Sequence, residues 1–203
     1  NADGGTTTAD STGNSNTGLL VEPPGPQFRV SQGKFGGALD FDGVDDFAWF
    51  QDASFDVGAR GTLSFWVQMD NVSRRNQFFE GPGNSNLEFQ YREQTSAGGQ
   101  FYSRMQNNND FVIRSGGDNS AAGVWTNLQF VWDFSGLPGD TSAKLRIYRD
   151  GVESTYASGS TPTDLNWTTI ANTVNGMMNV GRDPGDVTRA FDGRMDDIAW
   201  FNT

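Results

Sequence analysis

The chain has 203 residues, with 14 Lys and Arg against 25 Asp and Glu, so its formal net charge is -11. That charge opposes binding to phosphate backbones and to anionic bilayers, and we therefore expect no nucleic-acid partner. No apolar run approaches the length of a membrane span, so we also expect no membrane insertion. His and Cys are both absent, which excludes Ser-His-Asp and Cys-His nucleophiles, imidazole or thiolate zinc sites, and disulfides. The length suits one sandwich or barrel. We predict a single domain over residues 1–203 that is part of a larger protein.

The first quarter of the chain begins with a polar segment and ends with a short alternating one. Residues 1–18 are almost wholly Gly, Thr, Ser, Asn and Asp, which predicts a loop, because such a segment cannot bury enough apolar area to form a strand pair. Residues 19–21 predict a short strand. In residues 38–43, apolar side chains alternate with Asp40 and Asp42, which predicts a strand that ends in an acidic turn.

Period-two alternation recurs along the rest of the chain and sets the predicted orientation of the core. Trp66 faces away from its apolar neighbours in the segment 62–69 and could fill a second core layer. The polar run 107–110 predicts a hairpin between the strands on either side, and Asp150-Gly151 predicts another turn. The residues expected to point inward are Leu39, Phe41, Leu63, Phe65, Val67, Met69, Leu87, Phe89, Tyr91, Leu128, Phe130, Trp132, Phe134, Leu145 and Ile147.

The pattern as a whole indicates the fold class. Short alternating segments are separated by turn residues, and no segment shows a sustained helical period. Ala, Leu, Glu and Lys, which favour helices, are sparse for this length. We predict an all-β fold, a two-sheet antiparallel jelly-roll sandwich.

Several segments carry motifs that occur together in one family. They are ADSTGNSNTG at 9–18, GKFGGALDFDGVDD at 33–46, TLSFWV at 62–67, GVW at 123–125 leading to YRDG at 148–151, and FDGRMDDIAWF at 191–201. In this order they resemble bacterial laminin-G-like, concanavalin A-like lectin/glucanase domains. The resemblance implies a jelly roll that is commonly secreted, often holds a structural calcium ion, and is often attached to adhesins or polysaccharide-active enzymes. Fold alone does not determine function.

Asp residues are the candidate ligands for a structural calcium ion. Ca²⁺ prefers several hard oxygen ligands, the kind of donor that a chain rich in Asp and free of His offers. Asp42 stands where its strand turns, Asp10 lies in the N-terminal loop, and Asp196, by resemblance to related sandwiches, points to a metal near the N-terminal segment. We predict these three as ligands. The alternative is that each carboxylate caps a turn by accepting backbone N–H groups.

A carbohydrate-binding surface is predicted on one sheet. Sugars bind to aromatic rings and to planar polar side chains, and acidic sugars also require Arg. Five outward side chains would form such a surface on the solvent face of one sheet, if their strands are neighbours. They are Gln90, Arg92, Tyr102, Arg104 and Gln129. The alternative is a solvated sheet face whose cross-strand pairs only stabilise strand pairing.

The acidic residues do not form the pattern of a sandwich glycosidase. Such enzymes place two carboxylates beside the scissile bond, and Glu88 and Glu93 would face opposite sides of an unbroken strand. A polysaccharide lyase could use Tyr102 as base and acid while Arg104 or Gln90 neutralises a uronate, but these enzymes commonly also use His. We therefore expect no enzymatic activity.

These observations together predict a non-catalytic carbohydrate-binding or adhesion module. We expect it to be extracellular or on the cell surface, with calcium ordering its loops and with a glycan and neighbouring domains of the same chain as partners. The alternatives are a structural spacer that binds no ligand and a polysaccharide lyase. The basic pair Arg74-Arg75 is expected in a solvated loop rather than in a docking patch, because it stands alone in an acidic chain.

Overall fold

The computed structural model of the protein describes residues 7–9, 11, 17–21, 27–29, 32–51, 58–81, 87–95, 98–105, 112–115, 120–141, 143–157, 177–183 and 185–202. Within these ranges the strands pair into two antiparallel sheets, which confirms the predicted all-β jelly-roll sandwich. The eight-stranded sheet has the order β1 (Thr7–Thr8), β2 (Gly18–Val21), β5 (Phe47–Gln51), β14 (Met177–Val180), β7 (Asn76–Glu80), β8 (Leu87–Thr95), β9 (Gly98–Met105), β10 (Val112–Arg114). The seven-stranded sheet has the order β13 (Val152–Glu153), β12 (Leu145–Arg149), β11 (Trp125–Asp133), β6 (Arg60–Met69), β15 (Asp192–Asn202), β4 (Ala38–Asp42), β3 (Gln27–Arg29).

An aromatic core fills the space between the two sheets. The inward residues predicted from the alternation are all buried, because alternate side chains of each strand point to the same face. The ring of Phe65 lies 5.0 Å from that of Phe79 and 6.2 Å from that of Phe130, centroid to centroid. Phe130 in turn lies 4.5 Å from Phe89. Rings from both sheets therefore interlock, and each such pair contributes about 0.5–1.5 kcal/mol beyond the area it buries.

Of three local predictions at the margins of the sheets, one is wrong and two are confirmed. The N-terminal segment contains a strand rather than only a loop, because Thr7 and Thr8 pair with Leu19 and Gly18 through backbone hydrogen bonds that require no apolar burial. The predicted hairpin pairing is confirmed, since β9 and β10 are antiparallel neighbours, although its connection at 107–110 lies outside the described residues. The predicted turn at Asp150 is also confirmed, with φ of +50° there.

Strand β7 was not evident from the sequence, and it breaks the alternation rule. All five of its residues are buried, and a bulge at residues 77–79 turns both Phe78 and Phe79 toward the core. A central strand covered on both faces loses the apolar-polar contrast that identifies a half-buried strand. Its position matters, because it places Glu80 directly opposite Glu88 of β8.

Three connections that cross from one sheet to the other meet at one end of the sandwich. They are the turn 43–46 between β4 and β5, the loop 70–75 between β6 and β7, and the segment 181–191 between β14 and β15. A 3₁₀ helix, Val187–Arg189, lies in the last of these. Arg74 donates from Nη1 to the carbonyl of Gly43 at 2.8 Å and from Nη2 to that of Thr188 at 3.3 Å. These bonds join the three connections into one surface.

The described part of the chain contains no helix that is both long enough and apolar enough to cross a membrane.

Candidate functional site

Four of the five predicted carbohydrate-binding residues lie together on the outer face of the eight-stranded sheet. Gln90 pairs directly with Tyr102 across β8 and β9, with Arg92 and Arg104 on the same face. Gln129 lies in β11, in the other sheet. The expectation that all five share one face is therefore wrong for Gln129, because alternation gives the side of a strand and not the sheet to which the strand belongs.

Pointing outward does not expose every one of these side chains. Gln90 is 0% exposed and Tyr102 is 3% exposed, whereas Arg92 and Arg104 are half-buried. The guanidinium of Arg92 lies over the Tyr102 ring, 4.1 Å from its centroid. The predicted solvent face is thus wrong for Gln90 and Tyr102, and the accessible chemistry of this surface is that of the two arginines. We call Glu80, Glu88, Gln90, Arg92, Tyr102 and Arg104 the outer polar face.

Buried carboxylates lie at the centre of this outer polar face. Carboxylate oxygens of Glu80, Glu88 and Asp183 lie within 4.8 Å of one another. Arg189 Nη1 lies 2.9 Å from Asp183 Oδ2 and 3.4 Å from Glu88 Oε1. Burial raises the pKa of Glu88, and the charges of Arg104 and Arg189 partly oppose that rise. Arg189 and Arg104 supply the positive charge beside Glu88 and Asp183, so the cluster is a buried ion-pair network.

The network was not foreseen from the sequence because its members come from distant parts of the chain. Arg189 and Glu88 are 101 residues apart. Glu80 lies in the strand whose alternation is broken, and Asp183 lies outside any predicted strand. Glu88 stands at a polar position of an alternating strand, as Gln90 and Arg92 do, so its charge gave no local signal of the network.

An open pocket lies beside the outer polar face, at the end where the three connections meet. Its volume is about 350 Å³, and it is lined by Ser73, Arg74, Arg75, Asp186, Thr188 and Arg189. Arg189 belongs to both the pocket and the carboxylate network, so the two regions are continuous. The expectation of a solvated loop at Arg74-Arg75 is wrong, because both side chains are half-buried and Arg74 bridges two connections.

A second acidic cluster occupies the turn after β4. Oxygens of Asp42, Asp45 and Asp46 lie within 4.8 Å of one another. Asp42 Oδ1 accepts the N–H groups of Val44 at 2.8 Å and Asp45 at 3.3 Å, while Asp46 Oδ2 accepts the N–H of Asp42 at 2.9 Å. The turn depends on Gly43, whose φ is +74°. Asp42 therefore caps a turn, as the alternative interpretation held, and also faces two further carboxylates.

The chemistry of this Asp42 cluster fits a divalent cation. Asp46 is 4% exposed, and its Oδ1 is buried with no hydrogen-bond partner among the described residues. Burial raises the pKa of Asp46 to about 6, and the charges of Asp42 and Asp45 add to that rise. Burial also raises the pKa of Asp192, which pairs opposite Asp42. Hard carboxylate oxygens at these separations are the donors that Ca²⁺ prefers.

The other two predicted calcium ligands lie elsewhere or are not described. Asp196 Oδ2 accepts the N–H of Phe35 at 2.8 Å and Oδ1 accepts that of Asp197 at 2.8 Å, so its carboxylate holds the turn before β4. It lies four residues farther along β15 than Asp192. Asp10 lies outside the described residues. The structure therefore brings Asp42 together with Asp45 and Asp46, which the sequence reasoning had not named.

Comparison with known proteins identifies the family. Residues 42–203 match the model of the concanavalin A-like lectin/glucanases superfamily, a laminin G type, so the chain belongs to this family. No curated protein shows significant sequence similarity to the chain.

Solved structures show the same fold at low sequence identity. Domain 4 of AbnA, a GH43 extracellular arabinanase from Geobacillus stearothermophilus in complex with arabinotriose, is 19% identical, with a TM-score of 0.61 over 95% of this chain and 85% of that chain. Domains LG4-5 of the mouse laminin alpha1 chain are 14% identical, with a TM-score of 0.54 over 89% and 46% of the two chains. A SAP-like pentraxin from Limulus polyphemus is 9% identical, with a TM-score of 0.51 over 70% and 64%.

Proposed function

We propose that the protein is a non-catalytic, calcium-stabilised carbohydrate-binding or adhesion module of an extracellular or cell-surface protein. The observation that carries the proposal is the outer polar face, where Arg92 lies over Tyr102 and Arg104 stands on the neighbouring strand. The AbnA domain, which has the same fold, was determined in complex with arabinotriose and belongs to an extracellular enzyme, which supports both the ligand class and the location.

The two arginines of this face are suited to bind sugar hydroxyls. A guanidinium donates in a planar fork and can reach two adjacent hydroxyl oxygens at once. Stacking on the Tyr102 ring restricts Arg92 before a ligand arrives, which lowers the entropy lost on binding. Arg104 is held near Glu88, with 4.0 Å between Nη1 and Oε2.

The glycan part of the proposal is tested by calorimetric titration with arabinotriose and a panel of neutral oligosaccharides. We expect Arg92→Ala and Arg104→Ala to weaken binding of any bound glycan about tenfold, which corresponds to about 1.4 kcal/mol. Gln129→Ala is the matched control, because it truncates an outward polar side chain on the other sheet. Unchanged affinity in both arginine variants would remove the proposed face. An absence of binding to every glycan would favour the structural spacer.

Calcium would be held by the carboxylates of Asp42, Asp45 and Asp46. A cation that binds only the folded state stabilises it, by about 2.7 kcal/mol when its concentration is 100 times its dissociation constant. We expect thorough chelation to lower the Tm, added Ca²⁺ to restore it, and Asp46→Asn to abolish the response. Asp197→Asn removes the same charge from an exposed site outside the cluster and is expected to keep the response. An unchanged melting curve after chelation would contradict the calcium proposal.

The burial of the would-be lyase residues supports the non-catalytic part of the proposal. Gln90 is fully buried, and the ring of Tyr102 is covered by Arg92, so a polysaccharide cannot approach either group directly. We expect no increase in ultraviolet absorbance from unsaturated ends when the protein is incubated with polyuronates. A steady increase that Tyr102→Phe abolishes would overturn this part.

A further inference from the structure

A group of aromatic side chains lies on the outer face of the seven-stranded sheet, at the end of β6 that leads to the loop 70–75. The ring of Phe35 is 67% exposed and lies 5.7 Å from that of Trp66, centroid to centroid. Trp125 pairs with Gln68, two residues from Trp66 on β6, so the two Trp side chains are diagonal neighbours at about 7–8 Å. We call Phe35, Trp66 and Trp125 the aromatic platform. Single exposed apolar side chains are common on protein surfaces, whereas a contiguous group is typical of a binding surface.

The exposed ring of Phe35 is held in place by hydrogen bonds of the turn 33–37 and not by burial. The backbone N–H of Phe35 donates to Asp196 Oδ2 at 2.8 Å, which ties the turn to β15. Within the turn, the N–H of Gly33 donates to the carbonyl of Gly36 at 2.8 Å. The fold therefore presents a large apolar ring to solvent on a fixed backbone, which lowers the entropy lost when a ligand binds to that ring.

A row of polar side chains crosses the strands beside the aromatic platform. Arg194 of β15 pairs with Asp40 of β4 on one side and with Gln68 of β6 on the other. Arg194 donates from Nε to Asp40 Oδ1 at 3.1 Å and from Nη1 to Gln68 Oε1 at 2.8 Å. Gln68 Nε2 donates to the carbonyl of Gly123 at 2.8 Å. With Trp125 of β11 at its end, the row spans four strands, roughly 14 Å, and its planar groups are already fixed by these bonds.

Arg194 keeps a donor for a ligand hydroxyl. Within the described residues its hydrogen bonds engage Nε and Nη1, and its Nη2 has no partner there. The side chain of Arg194 is 27% exposed and that of Asp40 is 21% exposed, so a ligand can reach both from solvent. Sugars bind where aromatic rings contact their C–H faces and planar polar groups contact their hydroxyls. The aromatic platform and the polar row supply these two kinds of contact side by side.

The charges of this surface favour a neutral ligand. Arg194 forms an ion pair with Asp40, so the polar row holds no surplus charge for an ionic ligand. Lys34 Nζ lies 4.4 Å from the centroid of the Trp66 ring, in the turn that Asp196 holds. The net charge of -11 repels acidic polysaccharides at long range. A neutral saccharide meets neither obstacle.

We infer that the aromatic platform and its polar row form a second saccharide site, which binds a neutral oligosaccharide chain laid across the strands. The rings of Phe35 and Trp125 contact the C–H faces of the chain, and Arg194 Nη2 donates to a hydroxyl oxygen. The inference goes beyond the proposed function, because this site lies on the opposite sheet from the outer polar face and shares no residue with it. A module with one site on each outer face can bridge two glycan chains, which suits adhesion.

The test isolates the second site by calorimetric titration with arabinotriose, cellotetraose and xylotetraose. We expect a variant that carries Arg92→Ala and Arg104→Ala to retain binding at the aromatic platform. Adding Phe35→Ala should weaken that remaining binding about tenfold, because one stacked ring is lost. Phe201→Ala is the matched control, since Phe201 is 59% exposed on the same sheet and pairs with Thr62, four residues from Trp66 on β6.

Nuclear magnetic resonance of the fluorotryptophan-labelled protein gives a direct reading of the site. The fluorine signals of Trp66 and Trp125, assigned with Trp66→Phe and Trp125→Phe, should shift during titration with the same oligosaccharides. Gln129 lies four residues farther along β11 than Trp125, roughly 13 Å away, so Gln129→Ala should leave both shifts unchanged.

The outcomes distinguish the two sites. Loss of all binding in the double arginine variant, with unmoved Trp66 and Trp125 signals, would overturn the inference and leave the outer polar face as the glycan site. Equal weakening by Phe201→Ala and Phe35→Ala would overturn it as well. Absence of binding to every oligosaccharide would contradict both the inference and the proposed function. Self-association in sedimentation that Phe35→Ala abolishes would assign the aromatic platform to a second copy of the chain instead.

Discussion

The outer faces of the two sheets follow the same alternation but differ in how deeply their polar residues are buried. On the eight-stranded sheet, the outward residues Glu88, Gln90 and Tyr102 are all buried. On the seven-stranded sheet, the outward residues Gln129 and Trp66 are half-buried. The first face is covered in part by the segment 181–191, which brings Asp183 and Arg189 onto it. Charges on that face must therefore be compensated by protein groups, whereas water can compensate those on the other.

The outer face of the seven-stranded sheet is the less covered of the two outer faces, and it carries aromatic and charged pairs of its own. Trp66 is not a second core layer, because it lies on the outer face, where the ring of Phe35 meets it edge-on at 5.7 Å and Lys34 Nζ lies 4.4 Å from its centroid. Arg194 donates from Nε to Asp40 Oδ1 at 3.1 Å. These contacts resemble those of the outer polar face in type. Because their burial differs, the same kinds of pair are expected to contribute differently to stability on the two faces.

The largest contrast is expected from truncating one aromatic residue on each face. Tyr102→Ala should destabilise the fold by about 3–4 kcal/mol, because it deletes a buried ring. Phe35→Ala should cost about 1 kcal/mol or less, because Phe35 is 67% exposed and loses mainly its contact with Trp66. Urea unfolding of both variants measures the difference. Similar losses would mean that Tyr102 is not covered in solution.

A smaller contrast is expected from removing one arginine on each face. Arg189→Ala should cost about 3 kcal/mol, because it leaves Glu88 and Asp183 buried without that cation. Arg194→Ala should cost about 1 kcal/mol or less, because its pair with Asp40 is accessible to water. Chemical denaturation at low and high salt is the measurement. A cost for Arg189→Ala no greater than for Arg194→Ala would refute the distinction between the faces.

The smallest contrast uses an isosteric substitution that adds a charge. In the unchanged protein, Gln90 Nε2 lies 3.3 Å from Glu88 Oε2, so Gln90→Glu places a second carboxyl beside Glu88. This substitution should lower the free energy of unfolding by about 2 kcal/mol at neutral pH. Gln129→Glu should change stability by about 0.5 kcal/mol or less.

The pH dependence of the Gln90→Glu variant shows whether the loss of stability comes from the introduced charge. Burial raises the folded-state pKa of the introduced carboxyl above its unfolded value of about 4.3, so folding favours the protonated form. The cost is therefore absent below about pH 4, and it grows as pH rises through the folded-state pKa. Unfolding free energies measured from pH 4 to pH 7 test this. A cost that is independent of pH would indicate a packing defect instead of a buried charge.

Single strands show which structural features were predicted correctly from the sequence and which were not. In β11, the inward positions of Leu128, Phe130 and Trp132 follow from alternation alone and are confirmed. The outward position of Gln129 on the same strand was also correct, but its sheet was not, because pairing of β11 with β6 and β12 depends on residues far away in the chain. Asp42 of the candidate metal cluster was named from the sequence. Asp45 and Asp46 were recognised as its neighbours only in the folded turn.

The amino-acid pattern alone determined that this chain forms alternating strands around an aromatic interior and that its available metal ligands are hard oxygens. Both follow from local properties, the two-residue period of a strand and the absence of His and Cys. The tertiary structure decided which strands are neighbours, which outward groups are buried, and that two of the crossing connections bring Arg74, Arg75 and Arg189 to one pocket. These features depend on contacts between residues that are distant in the chain, and no local period encodes such contacts.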